Sequence, residues 1–265
     1  MALLNELIAR SGKGEKGVNL YVAHVFRALD EKTEAIEWLT KAKETNDIDL
    51  VWLNVDPLLT SLRSPSTVTY PGAPDYEAAE WFIREKLNKE LPPLHYHNTD
   101  HIQDVFDSAL VIAANEKLND KEIHLIRVAA LFHDAGIIVA HRHHEEKGCE
   151  MARQFLPSFG FNKNDIEIIC GMILATKIPQ SPQTLLEQII CDADLDYLGR
   201  SDFYTIGGKL KEELKAAGLV ETEREWNLIQ KTFLESHRYH TAFSRAKRDA
   251  LKTKHLQEIN DKLRK

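Results

Sequence analysis

The sequence predicts an all-α protein, and two observations lead to this fold class. Apolar residues recur at intervals of three and four along almost every periodic stretch, which is the spacing of one face of an α-helix. No stretch shows the sustained alternation of apolar and polar residues that a half-buried strand would have. With 265 residues, 43% of them hydrophobic, the chain is long enough for one large domain or for a main domain with a small addition.

The N-terminal region is predicted to form a small helical unit over residues 1–63. Residues 18–29 and 32–44 read as two helices joined by a short turn, and residues 50–62 read as a turn with a further short helix. This hairpin, followed by the VDPLL segment, resembles the end of a tetratricopeptide array. Because a lone hairpin cannot bury its apolar face, the resemblance implies that the unit contacts the rest of the chain, further repeats or a protein partner.

A linker is predicted next, over residues 64–75, because this segment holds three prolines and a glycine. The main domain then covers residues 76–265. Its apolar spacing, interrupted by prolines and glycines, predicts helices near residues 76–90, 99–117, 120–135, 144–157, 163–175, 183–199, 201–217, 221–236 and 243–263.

Composition and charge exclude several classes of protein. The formal net charge of -7, from 34 basic and 41 acidic residues, shows no large basic excess, so nucleic acid is not an expected partner. No apolar run is long enough to span a bilayer, and the first residues do not read as a secretion signal, so we expect a cytoplasmic protein without membrane contact. Three distant cysteines without a CxxC pair fit a reducing compartment.

Histidines are concentrated in one part of the chain, with eight of the twelve between positions 95 and 144. His101 falls in the first turn of a helix that is predicted to begin near Thr99. Asp104, three residues on, lies on the same helix face and is predicted to orient the His101 ring as a second-layer carboxylate.

Two apolar runs end in acidic or histidine side chains. AALFHDAG carries His133 and Asp134 directly before Gly136, and burying this pair would be costly without a partner such as a divalent cation. IICDADLDYLG carries Asp192 and Asp194, which face opposite sides of a helix, so only one of them is expected to bind the ion. A mixed histidine and aspartate set suits Mn, Fe, Ni, Co, Zn or Mg.

The ordered set of His101, His133–Asp134 and an aspartate in DADL resembles the HD superfamily of metal-dependent phosphohydrolases. YHNTDHIQDV, over residues 96–105, is similar to the YHNxxHxxDV segment of cyclic-nucleotide phosphodiesterases, and the resemblance covers about residues 96–199. It implies an HD-domain helical bundle in which these two histidines, Asp134 and Asp194 bind a divalent ion. Asp194 is preferred over Asp192 because the aspartate of the family usually follows an alanine.

The resemblance implies further roles. His97 matches the histidine that protonates the leaving oxygen, so His97 and Asp134 are the predicted catalytic residues. HEEKG resembles a segment whose histidine binds a second ion in some members, which makes His144 the candidate ligand and allows one or two ions per chain. Where some members have a second histidine pair, this chain has ATK, and Lys177 is predicted to bind a substrate phosphate as a point charge.

The predicted function is hydrolysis of a phosphoester bond, with a metal-activated water attacking phosphorus in a nucleotide or related small metabolite. Both diesters and monoesters fit this interpretation. Two alternatives stay open at this point: a non-catalytic scaffold that binds a nucleotide through its HD domain, and a di-iron HD oxygenase.

Overall fold

The computed structural model describes residues 2–13, 18–28, 31–44 and 74–264, and every regular element in these ranges is a helix. The all-α prediction is therefore confirmed for the described residues. The chain divides into two compact units, Met1–Val68 and Thr69–Lys265. The helix predicted over residues 50–62 and most of the linker predicted over residues 64–75 lie outside the described residues.

The smaller unit contains three described helices, α1 (Ala2–Gly12), α2 (Val18–Ala28) and α3 (Lys32–Glu44). Helix α2 packs against both of the others, and the unit has its own buried apolar cluster of Leu4, Leu7, Val18 and Val22. The two predicted helices of the hairpin correspond to α2 and α3. The likeness to a tetratricopeptide unit, and a partner for it, stay predictions.

The larger unit contains nine described helices: α4 (Tyr76–Glu90), α5 (Thr99–Ala113), α6 (Asp120–Phe132), α7 (His144–Phe155), α8 (Lys163–Ala175), α9 (Leu185–Asp194), α10 (Phe203–Ala216), α11 (Glu223–Ser236) and α12 (Ala242–Arg264). Each corresponds to a predicted helix and begins within two residues of it. Short 3-10 turns follow α6, α7 and α9, at Ala135–Ile138, Leu156–Phe159 and Asp196–Gly199.

Side-chain caps decide where several of these helices begin. Helices α6, α9 and α11 each start with a capping box, in which the cap side chain and a glutamate three residues later satisfy each other's free backbone N–H groups; the pairs are Asn119 with Glu122, Thr184 with Glu187, and Thr222 with Glu225. Such a cap contributes about 1 kcal/mol to helix stability. The predicted starts at 183 and 221 precede these caps, which explains the two-residue difference.

Two apolar cores hold the larger unit together. The main core is built by helices α4 to α9, with α5 packed against α6 and α9, and α8 packed against α6, α7 and α9. A smaller core joins the turn after α9 to the last three helices through Leu198, Phe203, Leu234 and Ile259. Within the described ranges, no helix has the length and apolar character needed to cross a membrane.

Candidate active site

The helix that carries His101 begins at a cap supplied by the YHN motif. The Asn98 side chain accepts hydrogen bonds from the backbone N–H groups of Asp100 and His101, at 2.9 and 3.1 Å. The Tyr96 ring packs against the His101 ring with their centroids 4.5 Å apart. Cap and ring together fix the position of the buried His101 imidazole.

His133 and Asp134 follow directly on the buried end of α6. The carbonyl oxygen of Ala130 lies 2.7 Å from His133 Nδ1, so this nitrogen donates a proton to the carbonyl and Nε2 faces the other site residues. Asp134 leaves the helix with φ -104° and ψ 2°, and the chain continues into the 3-10 turn that starts at Ala135. The carboxylate is thereby brought to the same side as the imidazole.

The two aspartates of DADL have different surroundings. Asp194, the last residue of α9, places Oδ1 3.3 Å from His101 Nε2. Asp192 is buried elsewhere: it accepts hydrogen bonds from the backbone N–H groups of His240 and Thr241 at 2.7 and 2.8 Å, and from the Thr241 hydroxyl at 2.7 Å. The structure thus brings Asp194 to the histidines, and Asp192 holds the chain before α12.

Four predicted ligands meet at one point, which we call the His/Asp cluster: His101, His133, Asp134 and Asp194. His101 Nε2 lies 3.4 Å from His133 Nε2 and 3.4 Å from Asp134 Oδ2. His133 Nε2 lies 3.3 Å from Asp134 Oδ2 and 3.8 Å from Asp194 Oδ1. Two atoms that each bind one ion at about 2.1 Å are roughly 3.0 to 3.4 Å apart at octahedral or tetrahedral angles. The separations therefore fit a single shared ion after small adjustments.

The Asp134 carboxylate supports the same interpretation. Its Oδ2 atom is buried and has no hydrogen-bond partner among the described residues, which is costly for a carboxylate unless a cation compensates. Burial favours the neutral form of Asp134, but the charge of His133, the hydrogen bond with His144 and the charge of His97 together outweigh burial and hold the pKa of Asp134 well below its usual range. Burial likewise disfavours protonated His133, but the charges of Asp134 and Asp194 raise the pKa of His133 to about 9.

His144 lies beside the cluster at the start of α7. Its Nε2 atom is 3.2 Å from Asp134 Oδ1 and 3.7 Å from Glu145 Oε1. The Asp134 carboxylate therefore has His144 on one side and the two cluster histidines on the other. Burial opposes protonation of His144, but the hydrogen bond to Asp134 raises the pKa of His144 to about 9.

Glu213 is a site residue that the sequence analysis missed. This buried side chain of α10 pairs with His97 Nδ1, and its Oε2 atom accepts hydrogen bonds from the backbone N–H groups of Tyr96 and His97 at 2.8 and 3.1 Å. His141 Nε2 lies 3.3 Å from Glu213 Oε1 on the exposed side. Glu213 thereby fixes both the backbone and the ring of His97, and His97 Nε2 forms no hydrogen bond with the residues that the structure describes.

The pairing also sets the charge of His97. Burial disfavours its protonated form, but the hydrogen bond to Glu213 and the charge of Asp134 outweigh burial and raise the pKa of His97. Burial in turn favours neutral Glu213, but the hydrogen bond and charge of His97 and the backbone hydrogen bonds from Tyr96 and His97 together lower the pKa of Glu213 to about 2. The arrangement favours an imidazolium beside a carboxylate.

Two glycines allow the elements of the site to approach each other. A Cβ atom on Gly136 would lie 1.9 Å from the backbone oxygen of His144, and one on Gly148 would lie 2.8 Å from the backbone oxygen of Phe132. The start of α7 can therefore pack against the end of α6 only because neither position carries a side chain. This close packing sets the distance between Asp134 and His144.

Two predicted site residues lie away from the cluster. Asp104 accepts a hydrogen bond from Arg200 Nη1 at 2.8 Å and lines a different cavity. The predicted partner of Asp104, His101, is therefore wrong, and its partner is Arg200. Lys177 forms an ion pair with Glu146, and both side chains are about two-fifths exposed, at 43% and 41%. The structure does not bring Lys177 to the cavity beside the cluster, and its role in phosphate binding stays a prediction without support from this geometry.

A cavity of about 200 Å³ opens beside the His/Asp cluster. Its inner end is lined by His97, Asp134, His144, Glu145 and Asp194, and the remainder by mostly apolar residues between α10 and α11. A molecule at this polar end would lie beside the carboxylates and the imidazole of His97.

Comparison with known proteins finds one family match, in the central part of the larger unit. Residues 99–196 match the family model of the HD domain. All four residues of the His/Asp cluster lie inside the matched range of the HD domain, whereas His97 precedes it and Glu213 follows it. HD domains typically bind divalent metals, and the His101, His133 and Asp194 group is arranged to hold one. The HD domain and this group support a metal-dependent hydrolase as the general class of activity.

A crystal structure of a predicted HD superfamily hydrolase from an uncultured Thermotogales bacterium is similar to this chain. The two share 19% sequence identity with a TM-score of 0.48, over 71% of this chain and 93% of that one. No curated protein matches the sequence.

Proposed function

We propose that this protein hydrolyses phosphoester bonds in a nucleotide or related metabolite with the help of a divalent metal ion. One observation carries the proposal: two histidines and two aspartates from three helices converge on one point, and a buried Asp134 oxygen there lacks a hydrogen-bond partner. The cluster would hold Mn, Fe, Ni, Co, Zn or Mg through its two Nε2 atoms and two carboxylates. When bound, such an ion lowers the pKa of water and stabilises charge on phosphoryl oxygens.

His97 is proposed as the general acid. Glu213 holds its Nδ1–H, so a protonated His97 presents Nε2–H to the cavity and can donate that proton to the leaving oxygen. The raised pKa of His97 keeps this proton available at neutral pH. Glu213 acts through His97 and is a positioning residue.

A second divalent ion is proposed at one position only, next to His144. His144 Nε2, Asp134 Oδ1 and Glu145 Oε1 are close enough to contribute to a neighbouring position, with Asp134 shared between both. A mixed set of nitrogen and carboxylate ligands again suits a divalent ion. Substitution of His144 would then remove the second ion, whereas substitution of His133 would weaken binding of the ion in the His/Asp cluster.

Hydrolysis of bis-p-nitrophenyl phosphate and p-nitrophenyl phosphate tests the proposal, with each of the six metals added to chelator-treated protein. We expect release of nitrophenol with at least one ion, and the preferred ester separates diesterase from monoesterase. His133→Ala should abolish the activity, and His95→Gln, at an exposed histidine of the same region, should retain it. Nucleotide binding without turnover under all metals would favour a scaffold, and a coloured, iron-loaded protein that consumes oxygen would favour an oxygenase.

A further inference from the structure

The cavity beside the His/Asp cluster is divided into a polar end and an apolar end. We call the apolar end the apolar chamber and define it by six side chains: Leu198, Phe203, Leu210, Trp226, Phe233 and Leu234. These residues come from the turn after α9 and from α10 and α11, beyond the residues matched by the HD domain model. The chamber is continuous with the space in front of Asp134 and Asp194.

The charges around the cavity argue against a substrate with several phosphates. Among the described residues that line it, none is a lysine or arginine, and the charged ones are carboxylates and histidines at the cluster end. Chains of phosphates are usually bound through arginine or lysine side chains, which compensate their charge. Only a phosphoryl group at the cluster has compensation available, so the chamber suits an uncharged group.

Gln230 adds one polar contact to the chamber. It lines the cavity, only 7% of its surface is exposed, and its amide forms no hydrogen bond within the described part of the chain. Because Gln230 lines the cavity, a ligand with one suitable polar atom would find a hydrogen-bond partner there. The chamber therefore matches an apolar body that carries a single hydrogen-bonding atom.

The dimensions restrict the size of this body. The whole cavity of about 200 Å³ is somewhat larger than the roughly 150 Å³ apolar cavity that is known to hold one benzene ring. Its rim includes Ile178 and Ile229, whose surfaces are 53% and 42% exposed, so apolar contact continues to the mouth. One ring fits inside with its phosphoryl group, and a second ring would reach the rim.

We propose that the apolar chamber binds the organic part of the substrate, and that this part is an uncharged aromatic or aliphatic group of one to two rings in size. This inference rests on the proposed phosphoester hydrolysis, because it places the ester at the cluster and the organic group in the chamber. The substrate class is therefore phosphoesters that carry one phosphoryl group and an uncharged organic group, such as aryl or alkyl phosphates, in contrast to nucleoside polyphosphates.

Gly207 offers a way to fill the chamber. A Cβ atom there would lie 3.5 Å from Gln230 Oε1 and 3.7 Å from Trp226 Cζ2, which is ordinary contact, so Gly207→Ala fits and Gly207→Leu extends into the chamber. The neighbouring Gly208 is the matched control, because a Cβ atom there meets nothing within 4 Å and the residue does not line the cavity. Both are in α10, so the two substitutions change helix propensity equally.

The assay compares kcat/KM for phenyl, naphthyl and 3-carboxyphenyl phosphates, offered as monoesters and as methyl diesters. These three phenols are similar leaving groups, so differences report the fit of the organic group. We expect naphthyl to exceed 3-carboxyphenyl by roughly 10- to 200-fold, the usual gain from a well-fitting apolar group. Gly207→Leu should remove most of this preference, Gly207→Ala should reduce it, and Gly208→Leu should retain it.

Binding of naphthylphosphonate, followed by calorimetry, separates failure of this inference from failure of the proposed function. Hydrolysis without a naphthyl preference, or with a preference that Gly207→Leu leaves intact, would overturn the chamber proposal and leave the hydrolase proposal standing. Phosphonate binding that Gly207→Leu abolishes and Gly208→Leu retains, without hydrolysis of any ester, would support the chamber and overturn the hydrolase. Neither binding nor hydrolysis would overturn both.

Discussion

Replacing Gly136 by alanine would drive a methyl group into the backbone at the start of α7. The new Cβ atom would lie 1.9 Å from the carbonyl oxygen of His144 and 2.5 Å from the backbone nitrogen of Gly148. Because carbon contacts are favourable only near 3.5 Å, the two segments must separate by roughly 1.5 Å. Overpacking of this kind typically costs 1 to 3 kcal/mol, and because both contacts are with backbone atoms of α7, which cannot rotate away, we expect about 3 kcal/mol.

The same displacement would damage the site, because functional groups tolerate shifts of only about 0.5 Å. The 3.2 Å contact between His144 and Asp134 should be lost. Urea unfolding measures the stability change, with Gly208→Ala as the control that we expect to be stabilising by up to about 1 kcal/mol. A Gly136→Ala protein within about 0.5 kcal/mol of wild type would refute the packing argument.

Three further predictions concern protons. Glu213→Gln should move the basic limb of the kcat/KM profile to lower pH, because the hydrogen bond that raises the pKa of His97 is weakened; an unmoved limb contradicts this. His133, with a pKa of about 9, is protonated at pH 7, so metal binding should release protons, and the affinity for the metal should increase as the pH rises. Calorimetry in buffers of different ionisation enthalpy measures the number of protons released. Burial lowers the pKa of His237 from 6.5 to about 3, so as the pH falls His237 is protonated in the unfolded chain before it is protonated in the folded protein. Stability should therefore fall as pH drops from about 6.5 to 3, by at most about 1.4 kcal/mol per unit, and equilibrium unfolding of His237→Gln should show a shallower fall.

Local sequence signals were sufficient to predict the helices and most of the cluster. Helix starts depend on caps and apolar spacing within a few residues, which is why the predicted helices of the larger unit agree closely with the structure. His101, His133 and Asp134 were predictable because each lies at a helix end next to buried apolar residues. The choice between Asp192 and Asp194 needed the structure, since Asp192 is occupied by the distant Thr241.

Contacts between distant positions could not be predicted in this way. Glu213 lies 116 residues from His97, in the segment KLKEELK, whose lysines and glutamates read as a solvated helix face. One local signal was available: Glu213 follows Ile206 and Leu210 at helical spacing, so it occupies the apolar stripe of α10. Spacing alone pairs Asp104 with His101, but its partner in the structure is Arg200, from a remote turn.

The metal content of the purified protein tests the central claim most directly. Elemental analysis should find one or two divalent ions per chain in the wild-type protein and in His95→Gln, and a smaller amount in His133→Ala, which lacks one of the four clustered side chains. Reloading with each metal after chelation should restore the same stoichiometry. A wild-type protein that binds no divalent ion, or a His133→Ala protein that binds as much as wild type, would contradict the assignment of the cluster as a metal site.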